Sequence, residues 1–268
     1  MEQLKVVGPA LVLVVMLLSS LVVFSFLTLL GKRPQNKDQR NHTPFFHFFI
    51  DFFVWMIKPA ERLIRSLPVT PNQITISSLF VCVVAGLCIA TSHLATAGWL
   101  YILAGALDVL DGRIARWKGI ESAAGAFLDS ISDRWCELFV LSGFVWLLRD
   151  TYWLPCVILA IVGSLMTSYI RAKGDALDIV LDGGVMQRAE RMTVVSIGCL
   201  TTAFFNSAEV TVEYGPFVLG ICLLIVGLGS SYTAVGRWRR GFSILEDREN
   251  SASLTSLSDD ELQIPTQS

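Results

Sequence analysis

Apolar residues in this chain gather into long runs that are separated by short polar breaks. The first run, residues 6–30, contains no charged residue. Six more follow, at about 73–93, 96–116, 124–148, 153–172, 190–207 and 215–236. Such runs are long enough to cross the hydrocarbon core of a bilayer as helices. The pattern predicts an all-α integral membrane protein with six core transmembrane helices and one extra transmembrane helix at the N-terminus.

Residues 45–67 follow a different pattern, with aromatic residues first and charged residues after them. The aromatic residues are Phe45, Phe46, Phe48, Phe49, Phe52, Phe53 and Trp55, and the charged ones are Lys58, Glu61, Arg62 and Arg65. This pattern is typical of an amphipathic helix that lies in the membrane interface. A distorted extra span is the alternative, and Asp51 and Pro59 argue against it.

The charges of the polar breaks indicate the orientation of the spans. The breaks at 92–96 and 206–214 have no Lys or Arg, and the break near Asp150 has only Arg149. The opposite side collects Arg113, Arg116, Lys118, Arg171, Lys173, Arg188, Arg191, Arg237, Arg239 and Arg240, and the flank after the first run adds Lys32, Arg33, Lys37 and Arg40. Because cytoplasmic loops carry the excess of Lys and Arg, this side is predicted to be cytoplasmic. The prediction is a multi-pass protein of a bacterial inner membrane.

Composition supports the membrane assignment and divides the chain into four parts. Hydrophobic residues make up 53% of the chain, and the mean hydropathy is +0.58. A net charge of −2 gives no basic field that would attract nucleic acid. The predicted parts are an N-terminal span (1–31), a basic linker with the interfacial helix (32–67), a membrane domain (68–240) and an acidic, Ser-rich cytoplasmic tail without regular structure (241–268).

Four aspartates interrupt the apolar runs near the predicted cytoplasmic side. Asp108 and Asp111 are three residues apart, and Asp129 and Asp133 are four apart, so each pair shares one face of a helix. The short connection between the two helices predicts antiparallel neighbours on which the four carboxylates converge. Converging carboxylates repel one another unless cations neutralise them, and oxygen ligands favour Mg²⁺, Mn²⁺ or Ca²⁺ over zinc.

Small and basic residues accompany the aspartates. Gly112 and Gly125 would let a phosphate or a sugar approach the backbone, Ala115 keeps the wall small, and Arg116 can bind a phosphate through a bidentate fork. One alternative is that the aspartates form interfacial salt bridges with nearby arginines. Another is that intramembrane carboxylates translocate protons or ions.

The motif resembles that of the CDP-alcohol phosphotransferase (phosphatidyltransferase) family, D-x2-D-G-x2-A-R-x8-G-x3-D-x3-D. Every position matches, through Asp108, Asp111, Gly112, Ala115, Arg116, Gly125, Asp129 and Asp133. The resemblance covers about 68–240, including a Thr70–Thr75 segment that is similar to the family's start of the first core helix. It implies a six-helix membrane fold, a homodimer, and transfer of a phosphatidyl group from CDP-diacylglycerol to an alcohol with release of CMP.

The resemblance also implies roles for single residues. Asp108, Asp111 and Asp129 would bind two divalent ions, Mg²⁺ or Mn²⁺, which neutralise the diphosphate. Asp133 would contribute to the metal site and act as general base for the acceptor hydroxyl. The predicted CDP-binding residues are Asn72, Thr75, Asp108, Asp111, Gly112, Ala115, Arg116 and Gly125.

Two basic strings, residues 168–175 and 184–191, bear on the acceptor. They resemble those of phosphatidylinositol-phosphate and archaetidylinositol-phosphate synthases, which use inositol 1-phosphate. The predicted binding residues for the acceptor phosphate are Arg134, Arg171, Lys173, Arg188 and Arg191. Glycerol 3-phosphate, giving phosphatidylglycerol phosphate, is the main alternative acceptor. Another reaction of the family, with CDP-choline or CDP-ethanolamine as donor, also stays open.

Overall fold

The computed structural model describes residues 22, 24–28, 30, 44–207 and 215–262, and this part of the chain is helical without strands. The helices are α1 (Pro44–Arg65), α2 (Pro71–Ala90), α3 (Leu94–Lys118), α4 (Ala123–Leu148), α5 (Leu154–Asp175), α6 (Arg188–Ser207) and α7 (Gly215–Leu262). Each predicted core helix therefore exists, with ends within a few residues of the prediction except in α7. The predicted all-α fold is confirmed.

Four helices in the described residues are long and apolar enough to cross a membrane. They are Pro71–Ala90, Leu94–Lys118, Leu154–Asp175 and the Gly215–Ser251 part of α7. The other two core helices carry more charge, for example Asp129, Asp133, Arg134 and Glu137 in α4. The predicted integral membrane protein is confirmed. The extra N-terminal span lies largely outside the described residues.

Local signals explain where α2, α3 and α4 begin or end. The Thr70 hydroxyl accepts a hydrogen bond from the Gln73 amide (3.3 Å), and the Gln73 side chain accepts one from the Thr70 amide (2.9 Å). This capping box satisfies two free amides at the start of α2. Gly119 ends α3 in the left-handed conformation (φ 63°), and the Ser122 hydroxyl caps α4 through the Gly125 amide (3.0 Å). The α3–α4 loop is therefore short and well defined.

Helix α2 lies at the centre of the first half of the bundle, because it packs against both α3 and α4. A Cβ at Gly86 would lie 2.4 Å from the Phe139 carbonyl oxygen, and one at Gly143 would lie 2.4 Å from the Gly86 oxygen. The backbones of α2 and α4 therefore touch. The sequence predicted that α3 and α4 pack as direct neighbours, whereas α3 packs mainly on α2 and α6 and α4 mainly on α2. The glycine contact gives α4 a closer partner in α2.

In the second half, α5 packs on α7, and α6 packs against both α3 and α7. Close approach again depends on small residues, because a Cβ at Gly163 would lie 3.0 Å from the Gly227 carbonyl oxygen. The six core helices bring the start of α2, the end of α3, the start of α4, the end of α5 and the start of α6 to one end of the bundle. We call this end the site end.

Helix α7 differs most from its prediction. The sequence indicated a helix ending near residue 236 and a tail without regular structure, whereas the helix continues to Leu262. Neither glycine nor proline occurs between Gly241 and Leu262 to interrupt it. Three of its arginines donate to carbonyl oxygens of the α5–α6 loop: Arg237 to Gly183 (2.9 Å), Arg240 to Asp182 (3.0 Å) and Arg248 to Asp178 (2.9 Å). The extension therefore holds this loop.

Helix α1 is joined to the site end of α3 by a buried carboxylate. Glu61 is 4% exposed and accepts hydrogen bonds from Arg113 Nε (2.8 Å) and from Arg65. Burial acts to raise the pKa of Glu61, but the hydrogen bonds and charges of Arg113 and Arg65 outweigh it and hold the pKa below its ordinary value. The predicted helix is present, and its location in the membrane interface stays a prediction.

We expect Gly86→Ala to destabilise the protein, because the new Cβ meets backbone, which cannot rotate away. Overpacking of this kind costs about 1–3 kcal/mol. Gly236→Ala is the matched control, since a Cβ there meets nothing within 4 Å. Thermal unfolding in detergent should show a clear drop for Gly86→Ala and none for Gly236→Ala. Equal melting temperatures of the two variants would contradict the close α2–α4 contact.

Candidate functional site

Three of the four motif aspartates converge at the site end. Each of Asp108, Asp111 and Asp129 offers one carboxylate oxygen, and these oxygens all lie within 4.8 Å of one another. Two come from the last turns of α3 and the third from the second turn of α4. Asp111 is the most enclosed, with 5% of its surface exposed. A cluster of three carboxylates in this arrangement is suited to a divalent cation.

Helix α2 supplies a hydroxyl to this cluster. Thr75 Oγ1 donates a hydrogen bond of 2.5 Å to Asp111 Oδ2, and it also lies 3.2 Å from the Pro71 carbonyl oxygen. The capping box at Thr70 fixes the first turn of α2 and so fixes the position of this hydroxyl. In the structure Thr75 therefore contacts a motif aspartate directly and holds one of its two oxygens.

Asp133 lies beside the three-carboxylate cluster and is linked to it through Arg188. Arg188 Nη1 lies 2.6 Å from Asp108 Oδ2 and 2.6 Å from Asp133 Oδ1. All three side chains are partly exposed, at 22–24%. A single cation therefore joins one aspartate of α3 to one of α4. Sequence reasoning assigned Arg188 to the acceptor phosphate and did not foresee this pairing.

Only side-chain atoms lie near the two motif glycines. A Cβ at Gly112 would meet only the Arg116 guanidinium, at 3.7 Å, and one at Gly125 would lie 3.2 Å from Ser122 Oγ and 3.5 Å from Asn72 Oδ1. These glycines therefore differ from Gly86, whose neighbour is backbone. Asn72, at the start of α2, is brought beside Gly125, and Arg116 beside Gly112.

The remaining predicted acceptor residues have different surroundings. Arg134 folds back on its own helix and donates to Ser130 Oγ (2.7 Å). Arg171 Nη2 lies 3.0 Å from Asp182 Oδ1 in the α5–α6 loop, and Lys173 is exposed. The structure therefore brings Arg171 together with the loop that α7 holds.

Arg191 forms a buried ion pair that sequence reasoning missed. Its Nε and Nη2 donate to the two carboxylate oxygens of Glu137, the latter at 3.0 Å, and its Nη1 lies 3.3 Å from the Met186 carbonyl oxygen. Arg191 is 2% exposed and Glu137 6%. The sequence held one signal for this ion pair, the spacing of its residues. Glu137 follows Asp133 by four residues, and Arg191 follows Arg188 by three. The two pairs therefore lie one turn apart on α4 and α6.

Arg237 is a second residue that the site prediction did not include. It is 5% exposed and donates to the carbonyl oxygens of Thr167 (2.8 Å) and Gly183 (2.9 Å). The sequence signal that could have identified Arg237 is its position, because it is a cation that directly follows the apolar run 215–236. Its contacts join α5, α7 and the α5–α6 loop at the site end.

Comparison with known proteins decides the family. The family profile described as CDP-alcohol phosphatidyltransferase matches residues 68–228. The chain belongs to the CDP-alcohol phosphatidyltransferase family. It is therefore an integral membrane transferase of phospholipid biosynthesis, and the enzyme class predicted from the aspartate motif is confirmed.

Relatives of this enzyme are named as inositol phosphate lipid synthases. It is 34% identical over 188 residues to the phosphatidylinositol phosphate synthase of Corynebacterium glutamicum, covering 68% of this chain and 82% of the relative. It is 30% identical over 188 residues to the archaetidylinositol phosphate synthase of Pyrococcus horikoshii, covering 69% and 95%. These matches bear out the predicted resemblance.

Solved structures give the same fold. Crystal structures of the Mycobacterium tuberculosis phosphatidylinositol phosphate synthase align with a TM-score of 0.61 for the form with CDP-DAG bound and 0.60 for the complex with manganese and citrate. Both are 26% identical, and the alignments cover 69% of this chain and 92% and 88% of the solved chains. The membrane fold of this family is therefore confirmed.

We expect the buried Glu137–Arg191 pair to hold α4 and α6 together. Replacing either partner alone by leucine leaves an uncompensated buried charge, which costs about 3–5 kcal/mol. The double variant Glu137→Leu/Arg191→Leu removes both charges, so it should recover much of this loss. Thermal unfolding of the two single variants and the double variant, in one detergent, measures the coupling. Additive losses in the double variant would show that the two side chains do not act as a pair.

Proposed function

We propose that this enzyme transfers the phosphatidyl group of CDP-diacylglycerol to inositol 1-phosphate and releases CMP. The observation that carries the proposal is the Arg188 guanidinium, 2.6 Å from both Asp108 and Asp133. A phosphate-binding side chain beside a motif aspartate is what a phosphorylated acceptor alcohol requires.

The three-carboxylate cluster fits divalent ions. Its donors are all hard oxygens, and the most buried of them belongs to Asp111, which Thr75 holds in position. Asp108, Asp111 and Asp129 would hold Mg²⁺ or Mn²⁺, and Asp133 is close enough to contribute. Bound divalent ions would neutralise the diphosphate and stabilise the departing CMP. The manganese complex of the Mycobacterium tuberculosis synthase supports this assignment.

The chain's own residues supply the remaining chemistry. The acceptor hydroxyl oxygen forms a bond to the phosphatidyl phosphorus, the diphosphate P–O bond breaks, and CMP leaves with the bond electrons. Asp133 accepts the hydroxyl proton as general base. Gly112 and Gly125 leave room for the nucleotide and diphosphate, beside Arg116 and Asn72, and Ala115 keeps the wall of this pocket small. The CDP-DAG complex of the solved synthase supports the choice of donor.

Arg188 and Arg171 are our candidates for the acceptor phosphate, and Lys173 and Arg134 are the further candidates from the sequence. The names of the two relatives support inositol 1-phosphate over glycerol 3-phosphate. The excess of Lys and Arg at the site end supports an active site that faces the cytoplasm. A homodimer and a bacterial inner membrane stay predictions.

The deciding measurement is CMP release from CDP-diacylglycerol by the purified enzyme, with one acceptor at a time. The acceptors are inositol 1-phosphate, glycerol 3-phosphate, free inositol and serine, each assayed with Mg²⁺ and with Mn²⁺. We expect release with inositol 1-phosphate and little with free inositol, because the phosphate supplies the contact with Arg188. Asp133→Asn should lower turnover by about 100-fold or more, as loss of a general base does.

Release with glycerol 3-phosphate alone would keep the family reaction and overturn the inositol assignment. Equal release with inositol and inositol 1-phosphate would contradict the phosphate-binding role of Arg188. Near-normal turnover of Asp133→Asn would contradict the general-base role.

Thr75→Val tests the link between the hydroxyl and the metal site. The substitution keeps the shape of the side chain and removes the hydrogen bond to Asp111 Oδ2. Loss of a side chain that orients a metal ligand typically lowers metal affinity about 10–100-fold. The concentration of Mn²⁺ for half-maximal activity should rise by that factor, and Thr75→Ser should restore it. An unchanged Mn²⁺ requirement with a raised KM for CDP-diacylglycerol would instead make Thr75 a nucleotide contact.

A further inference from the structure

A small basic cavity lies between α1 and α3, outside the aspartate site. Its volume is about 210 Å³, and its lining is Lys58, Glu61, Arg62, Arg65 and Arg113. Four of these five side chains are cations, and one is an anion. We call it the basic cavity.

The charge balance of the basic cavity favours an anionic ligand. Glu61 is already held by Arg113 Nε at 2.8 Å and by Arg65. With 4% of its surface exposed, it does not reach out to further partners. Among the described residues, neither Lys58 nor Arg62 forms an ion pair, and Arg62 is exposed. Within this part of the chain, two cations therefore line the cavity without a carboxylate in ion-pair contact.

An apolar cavity continues from the basic one. Its volume is about 200 Å³, it shares Lys58 and Arg62, and it adds Trp55, Met56 and Pro59. Lys58 and Arg62 therefore lie between a polar compartment and an apolar one. A ligand that matches both compartments has a negatively charged group joined to an apolar part.

We propose that the basic cavity binds the phosphate of an anionic phospholipid, with the apolar part of the lipid along Trp55 and Met56. The guanidinium of Arg62 and the ammonium of Lys58 are suited to a phosphodiester. An amphipathic helix at the membrane interface lies where such headgroups are abundant, and polybasic segments at this depth attract anionic lipids. Free inorganic phosphate offers the same anion without the apolar part.

The basic cavity adjoins α3, the helix that carries Asp108 and Asp111. Arg113 lines the basic cavity and follows Asp111 and Gly112 on α3. A bound phosphate would add an anion next to the Glu61–Arg113 contact that joins α1 to α3. Lipid binding should therefore stabilise the junction of these helices, because a ligand that binds only the folded state raises its apparent stability.

The test is thermal unfolding of the full-length protein in detergent micelles that contain either phosphatidylglycerol or zwitterionic phosphatidylcholine at the same mole fraction. We expect phosphatidylglycerol to raise the melting temperature of the native protein above that in phosphatidylcholine. Arg62→Ala should reduce this shift to less than half, and Lys58→Ala should do the same. Neither substitution breaks an ion pair within the part of the chain that the structure describes, so both variants should fold.

Arg239→Ala is the matched control, since Arg239 is an exposed arginine at the site end that does not line the cavity. It should keep the full shift. Equal loss in Arg62→Ala and Arg239→Ala would overturn the proposal in favour of unspecific attraction between the basic surface and the micelle. No shift in the native protein would also overturn it. If millimolar inorganic phosphate in phosphatidylcholine micelles raised the melting temperature as much as phosphatidylglycerol does, the cavity would be a site for free anions. That result would overturn the lipid assignment.

Discussion

Three carboxylates that converge within 4.8 Å repel one another, and the residues around them counter this repulsion. Arg188, from α6, joins Asp108 to Asp133, and Thr75, from α2, holds one oxygen of Asp111. Helices α2, α3, α4 and α6 therefore each contribute a polar group to one small volume. The packing of the core helices therefore brings these polar groups together.

Glycines have two distinct uses in this bundle. At Gly86 and Gly143 the missing side chain lets the backbones of α2 and α4 touch, which brings the first turn of α2 beside the first turns of α4. At Gly112 the missing side chain leaves space that only the Arg116 guanidinium approaches, and at Gly125 it lets Asn72 of α2 and the Ser122 hydroxyl come close to the backbone of α4. The first use fixes the distance between the helices that carry the site. The second brings polar side chains close to the backbone of α3 and α4 beside the aspartate cluster.

Periodicity along the chain predicted the helices and the pairs of aspartates well, because both depend on neighbours three or four residues apart. It did not predict which helices touch. The neighbour of α4 is α2, since two glycines far apart in the sequence allow the closest approach. The contacts of Arg188 and Arg191 were missed for the same reason, as their partners lie in other helices. Helix α7 continues beyond its apolar run, and contacts of Arg240 and Arg248 with a distant loop, which periodicity does not reveal, stabilise the first part of this extension.

The two arginines of α6 differ in what they have left to bind. Arg191 uses all three guanidinium nitrogens, two for Glu137 and one for the Met186 carbonyl, and it is 2% exposed. The contacts of Arg188 with Asp108 and Asp133 use Nη1 alone, and its side chain is 23% exposed. A guanidinium has five N–H donors, so both arginines keep donors that these contacts do not use. Those of Arg191 are buried, whereas the side chain of Arg188 is partly exposed and can reach a further anion. This difference favours Arg188 as the ligand of the acceptor phosphate. It favours Arg191 as the residue that holds α6 against α4 and thereby positions Arg188.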